Sequence, residues 1–302
     1  MQTFKKVLKW TGIVLGSLVG LLLMAYAVVY FQTESRFAKI YHITPATLTI
    51  PRDSATLARG EHLTRIKGCQ DCHGADLAGK AFLDDPAVGR FIAGNLTRGK
   101  GGLPENYGDA DWVRALRHGI GPDSKGLLAM PSHETTQMSD QDLAAVIAYC
   151  QSLKPVDREL PDHVVAPMAR VLMVTGVFPM LSAEKIDHEA KSRAVVEAAV
   201  SPEYGAYLAV SCSGCHGENF QGGPSPVPGF PPIPNITSAG HPGKWTEAEF
   251  INTLRKGLTP EGKRMKNTDM PWQMTSQYTD LELKALRAYL MTLPGNKNLA
   301  KY

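Results

Sequence analysis

Cys69-Gln70-Asp71-Cys72-His73 in the first half of the chain and Cys212-Ser213-Gly214-Cys215-His216 in the second repeat one pattern, C-x-x-C-H, and use four of the five cysteines present. In such a run the two thiols form thioethers with the vinyl groups of haem, and the following His presents its imidazole to the iron. Cys69, Cys72, Cys212 and Cys215 are therefore expected to bind two covalent haem c groups, with His73 and His216 as iron ligands. A redox dithiol needs no His after the second Cys, and a four-cysteine zinc site would have to join pairs about 140 residues apart, beyond ribbon spacing. The fifth thiol, Cys150, falls on the apolar face of the run 143–150 and reads as a buried, inert residue.

Working outward from the two motifs, the halves align on each other. Ala58-Arg59-Gly60-Glu61-His62-Leu63 answers Glu203-Tyr204-Gly205-Ala206-Tyr207-Leu208 ahead of the cysteines, and Asn95-Leu96-Thr97 answers Asn235-Ile236-Thr237 after them. Trp112 and Leu116 match Phe250 and Leu254, an aromatic and a Leu four residues apart on one helical face, and Gly119 matches Gly257. Ser139-x-x-Asp142 and Thr279-x-x-Glu282 both read as capping boxes. Behind them Leu143, Val146, Ile147 and Cys150 share a face, as do Leu283, Leu286 and Leu290, and Pro155 and Pro294 stop the helices. Each half is predicted to have one helix before the haem, one between and one after.

Met130-Pro131 and Met270-Pro271 each lie ten residues before the matched Asp140 and Asp280. Met130 and Met270 are thus the candidate sixth ligands, since a soft thioether favours Fe(II) and raises the potential above that of a bis-His site. His133 and Met138 compete with Met130 at the first iron. His62 and His118 align with Tyr207 and Lys256, so they share no ligand role. Asn95 and Asn235 orient the haem edge or cap a loop, and Asn95-Leu96-Thr97 also fits a glycosylation sequon. Lys263, Arg264 and Lys266 cluster before Met270, either to steer an acidic partner or as a solvated loop.

Residues Trp10 to Thr33 carry no charge, and as a helix they reach roughly 36 Å, enough to cross a bilayer core. Lys5, Lys6 and Lys9 precede them, which keeps the N-terminus in the cytoplasm and exports the rest of the chain. A cleaved signal peptide, with Ala25-Tyr26-Ala27 as the small-x-small site, is the rival reading, but the apolar run continues past it through Phe31. The expected organisation is a basic N-terminus (1–9), a transmembrane anchor (10–33), a juxtamembrane linker (34–53), a first haem domain (54–154), a connection with a short apolar helix (155–200) and a second haem domain (201–302). The remaining composition is ordinary, with 302 residues, 43% hydrophobic and a formal charge of +3, which argues against a nucleic-acid partner.

C-x-x-C-H, Met-Pro and a final helix with Leu-x-x-x-x-x-Tyr make residues 55–154 and 202–294 similar to class I cytochrome c. The chain as a whole resembles the membrane-anchored di-haem form, the cytochrome c subunits of bacterial membrane-bound alcohol and gluconate dehydrogenases, and those of C-type haem-copper oxidases. The resemblance implies an all-α fold with two tandem class I cytochrome c domains behind one N-terminal transmembrane helix. It also implies a single-pass protein of the cytoplasmic membrane with its haems facing the periplasm. Two irons filled by His and Met leave no open position for a substrate, so the expected function is one-electron transfer from an extracytoplasmic redox protein to a terminal oxidase or soluble carrier, alone or inside a larger respiratory or dehydrogenase complex. A di-haem enzyme acting on peroxide or thiosulfate is the alternative, and it needs an iron with a labile distal ligand.

Overall fold

The computed structural model describes residues 2–225 and 231–295, so the end of the expected second domain, 296–302, lies outside the described residues. A long helix α1 (Gln2–Phe37) leads the chain. It is long and apolar enough to cross a membrane, and its most apolar window has none of its residues buried. The first helical set is α2 (Ser54–Ile66), α3 (Cys69–His73), α4 (Asp109–His118), α5 (Ser132–Thr135) and α6 (Asp140–Ser152). The connection carries α7 (Pro167–Val174), and the second set is α8 (Pro202–His216), α9 (Glu247–Lys256), α10 (Trp272–Thr275) and α11 (Asp280–Thr292). The structure is thus mostly helical, as expected from the sequence.

Local chemistry sets these ends. Asp53 accepts from the backbone N–H groups of Ala55 and Thr56, both at 3.0 Å, and starts α2. Ser201 accepts from Tyr204 N to start α8, where Pro202 fills the first turn. Gly119 and Gly257, at φ 66° and 63°, close α4 and α9 in the left-handed conformation that other residues resist. One expected cap differs. Thr279 and Glu282 form the complete box at α11, with Thr279 N donating to Glu282 at 2.8 Å. Ser139 caps α6, but the Asp142 carboxylate does not reach back, because Arg59 and Tyr207 take both of its oxygens.

The repeat is visible in the helix crossings. A methyl group on Gly60 would stand 2.0 Å from the Ala145 carbonyl oxygen, and one on Gly205 2.0 Å from that of Ala285, so α2 meets α6, and α8 meets α11, backbone to backbone. Glycine is required at both points because any side chain would hold the helices apart. One addition was not expected. Strands β1 (Lys80–Asp85) and β2 (Gly89–Ala93) form an antiparallel hairpin between His73 and Asn95, and β3 (Val164–Val165) from the connection pairs with β2.

The segments outside the two repeats wrap the first. Asn95 Nδ2 donates to the Val156 carbonyl at 2.8 Å, Arg158 pairs with Asp76 at 2.8 Å, and Asp140 N donates to the Arg193 carbonyl at 2.8 Å. Tyr41 N donates to the Ser124 carbonyl at 2.8 Å. α7 packs on the foot of α1, where the buried Arg170 donates to Thr33 Oγ1 at 2.6 Å and pairs with Glu34 at 2.7 Å.

Candidate functional site

Each C-x-x-C-H run sits at the end of a helix, but the two are built differently. In the second half α8 runs unbroken from Pro202 through His216. In the first, α2 ends at Ile66, Gly68 turns in the left-handed region at φ 73°, and α3 carries the motif. Both imidazoles are buried and fixed in the same way: His73 Nδ1 donates to the Gly94 carbonyl and His216 Nδ1 to the Pro234 carbonyl, each at 2.8 Å. This sets the tautomer and leaves each Nε2 with its lone pair available to a metal. Burial lowers the pKa of both rings, favouring the neutral form that a metal requires, although the carbonyls oppose the shift.

Asn95 and Asn235 hold the loops that supply those carbonyls. Asn95 Oδ1 accepts from Thr97 N at 2.9 Å and Thr97 Oγ1 at 2.8 Å, and Asn235 Oδ1 accepts from Thr237 N at 2.8 Å and Thr237 Oγ1 at 2.7 Å. They are loop-capping residues, buried at 3% and 1% exposure, and the Asn95 sequon is closed to glycosylation in the folded chain.

Cys69 and Met130 both pack against the same apolar cluster, and Cys212 packs against that of the second half. Pro131 caps α5 and Pro271 caps α10, so each Met immediately precedes a short helix. Met130 and Met270 are both half-buried. Of the competitors at the first site, His133 lies with Nδ1 3.0 Å from Ser182 Oγ, a hydroxyl that also donates to the Met130 carbonyl at 2.5 Å. Met138 is 4% exposed, at the position held in the second half by the buried Tyr278. His62 and His118 have structural partners, Glu282 and His188.

The residues fit haem c. Burial pushes the Cys69 and Cys212 thiols up to about 12, so in the unmodified chain both are held neutral. Among the described residues, four buried donors in the two halves have no protein partner, namely Trp112 Nε1, Asn235 Nδ2, Thr253 Oγ1 and Arg287 Nε. A buried donor without a partner is costly, and the propionates of haem are acceptors of the right kind.

The two halves meet across a pseudo-two-fold arrangement that the sequence did not reveal. Equivalent residues exchange partners: His62 Nε2 donates to Glu282 at 2.9 Å, and Tyr207 Oη donates to Asp142 at 2.7 Å. Arg59 bridges the two carboxylates, at 2.9 Å from Asp142 and 3.6 Å from Glu282, and Tyr278 Oη donates to the Ile66 carbonyl at 3.0 Å. Each attachment segment also faces the short helix after the other half's Met-Pro pair. A methyl on Gly214 would stand 2.9 Å from Glu134 Oε1, and one on Gly68 3.4 Å from Met274 Sδ. Glu134 and Met274 are equivalent positions in the repeat, so the second attachment segment meets a carboxyl where the first meets a thioether. Burial pushes that carboxyl up to about 7 against the pull of Lys67.

Comparison with known proteins agrees with this architecture. Residues 203–294 match the cytochrome c family, and residues 55–150 match the family of subunit III of the cbb3-type cytochrome c oxidase. A diheme cytochrome c-type protein of Cereibacter sphaeroides is 28% identical over 271 residues, covering 79% of this chain and 86% of its own. The fructose dehydrogenase cytochrome subunit of Gluconobacter japonicus is 26% identical, and the cytochrome c subunit of the quinone alcohol dehydrogenase of Gluconacetobacter polyoxogenes 25%, each over 83% of this chain. The chain spans 54% and 58% of the lengths of these two dehydrogenase subunits. With its two C-x-x-C-H sites, one in each matched region, the chain consists of two cytochrome c domains behind a long apolar helix and is a di-haem c-type cytochrome that transfers electrons.

Proposed function

We propose that this cytochrome is a membrane-tethered one-electron relay, with domains at 54–154 and 201–302 held outside the cytoplasmic membrane by α1. His73 with Met130, and His216 with Met270, hold the two irons. When bound, each haem supplies reversible exchange of one electron between Fe(II) and Fe(III). The protein fixes the imidazoles through Gly94 and Pro234, excludes water with the shared apolar core, and brings the two attachment segments to one interface. That juxtaposition is the observation that carries the reading, because a relay needs its two centres near each other and locked in place.

The two domains differ in what they offer a partner. The Met130 loop is covered by the linker and connection, through Tyr41 on Ser124 and Ser182 on Met130. The equivalent loop of the second domain is open, and Lys256, Lys263, Arg264 and Lys266 are exposed on it with no ion pair among the described residues. An acidic redox protein would dock there, steered by that charge. Its dehydrogenase relatives support a quinone-linked or sugar-oxidising complex as the setting, with a terminal oxidase or soluble carrier as acceptor. A potentiometric titration of the purified protein tests the proposal: two low-spin, six-coordinate centres of high potential that do not bind carbon monoxide when reduced are expected. A stable five-coordinate centre, or turnover with peroxide or thiosulfate, would replace this reading with the enzymatic one.

A further inference from the structure

α7 presents two unlike faces. Ala169, Arg170 and Met173 are buried, while Met168 and Val171, one turn apart, are 51% and 38% exposed, and Val164 and Val177 on either side are 52% and 46% exposed. Nothing among the described residues covers this apolar stripe. Its height along α1 is fixed by Arg170, whose guanidinium lies 4.5 Å from the centre of the Tyr30 ring and 5.6 Å from that of Phe37, and which bonds Thr33 and Glu34 between them. A second clamp joins Arg36 to Glu184 and to the Met173 carbonyl. α7 therefore stands beside the turns where the uncharged run of α1 ends and the first charges, Glu34 and Arg36, begin. At the same level α1 exposes Val28 and Phe31, at 63% and 70%. The stripe thus stands at the level where the apolar span ends, and Lys39 and Lys185, within three residues of the Arg36–Glu184 clamp, are exposed.

We infer that the outer face of α7 is a second membrane contact, lying in the boundary between headgroups and acyl chains beside the foot of α1. An apolar helix face of this kind gains free energy at that boundary, and basic residues near the clamp suit anionic headgroups. The clamp makes the contact consequential: α1 and domain 1 are joined rigidly, so seating α7 fixes the tilt of the domain over the bilayer. This rests on α1 being a retained anchor.

The test uses the full-length holoprotein in nanodiscs containing anionic lipid, with a nitroxide placed singly on Leu22→Cys, Met168→Cys, Val171→Cys or Lys256→Cys, and both haems reduced. Collision rates with oxygen, which concentrates in lipid, and with a water-soluble nickel chelate are compared. The inference expects the ratio of oxygen to nickel collisions at 168 and 171 to exceed that at 256 severalfold and to approach that at 22. A water-like ratio at 168 and 171 with a lipid-like ratio at 22 overturns the second contact and leaves the anchor standing. Shielding of 168 and 171 from both reagents overturns it too, in favour of a covering protein. A water-like ratio at 22 removes the anchor, and this inference with it.

Discussion

Replacing Glu282 with Gln tests whether charge holds the two domains together. The residue is 3% exposed and accepts from His62 at 2.9 Å, from Thr279 N at 2.8 Å and from Thr279 Oγ1 at 3.1 Å, with Arg59 at 3.6 Å. Burial by itself would raise its pKa, but the His62 bond, the Thr279 N–H and the charge on His62 outweigh burial and hold it at about 2, below the ordinary 4.5. At ~1.4 kcal/mol per pH unit, that displacement corresponds to about 3 kcal/mol of stability. The folded value is depressed, so this contribution is complete above pH 4.5 and is lost as the pH falls through 2. The Gln variant should lose about 3 kcal/mol at pH 7 and show a correspondingly flatter loss of stability toward acid. Urea denaturation of the holoprotein at pH 7 and pH 3, followed by circular dichroism, measures both. A variant within about 0.5 kcal/mol of the parent at pH 7, or one with an unchanged acid dependence, refutes the reasoning.

Gly205→Ala drives a methyl into the Ala285 carbonyl and should cost ~1–3 kcal/mol, read as a lower melting temperature; an unchanged melt would mean that α8 and α11 do not cross there. Met270→His should lower the potential of one centre and leave the other in place in a redox titration, since bis-His ligation favours Fe(III) relative to His/Met; two unmoved potentials would remove Met270 as a ligand. Lys263→Glu combined with Arg264→Glu should slow reduction of an anionic oxidant such as ferricyanide at low salt and converge with the parent rate at high salt, and equal rates at low salt would show that this loop steers nothing.

The sequence displayed what is local or repeated. The attachment motifs, the Gly60 and Gly205 positions, the matched Asn-x-Thr loops and the order of helices each depend on a few neighbouring residues, and each occurs twice. What escaped depends on partners distant in the chain. Asp142 looked like half of a capping box because Ser139 stands three residues before it, yet Arg59 and Tyr207 claim its carboxylate across the fold. The β1–β2 hairpin is matched among the described residues of the other half only by an isolated antiparallel bridge, Gly223 with Ile233 at the register of Lys80 with Ala93, so the sequence repeat did not mark it as a strand pair. Nothing local marks Lys67 and Glu134, and only the meeting of the domains brings both close to Cys212.

That meeting has a consequence for how substitutions will report. Glu134 belongs to the first domain but lies against Gly214 of the second, and Met274 of the second lies against Gly68 of the first. A change at either position should register at the neighbouring half as well as at its host, so mutagenesis cannot assign absorption bands by sequence location alone. Contacts of this kind also tie the halves into one folded unit, in which neither can be excised or exchanged without exposing the other's attachment segment.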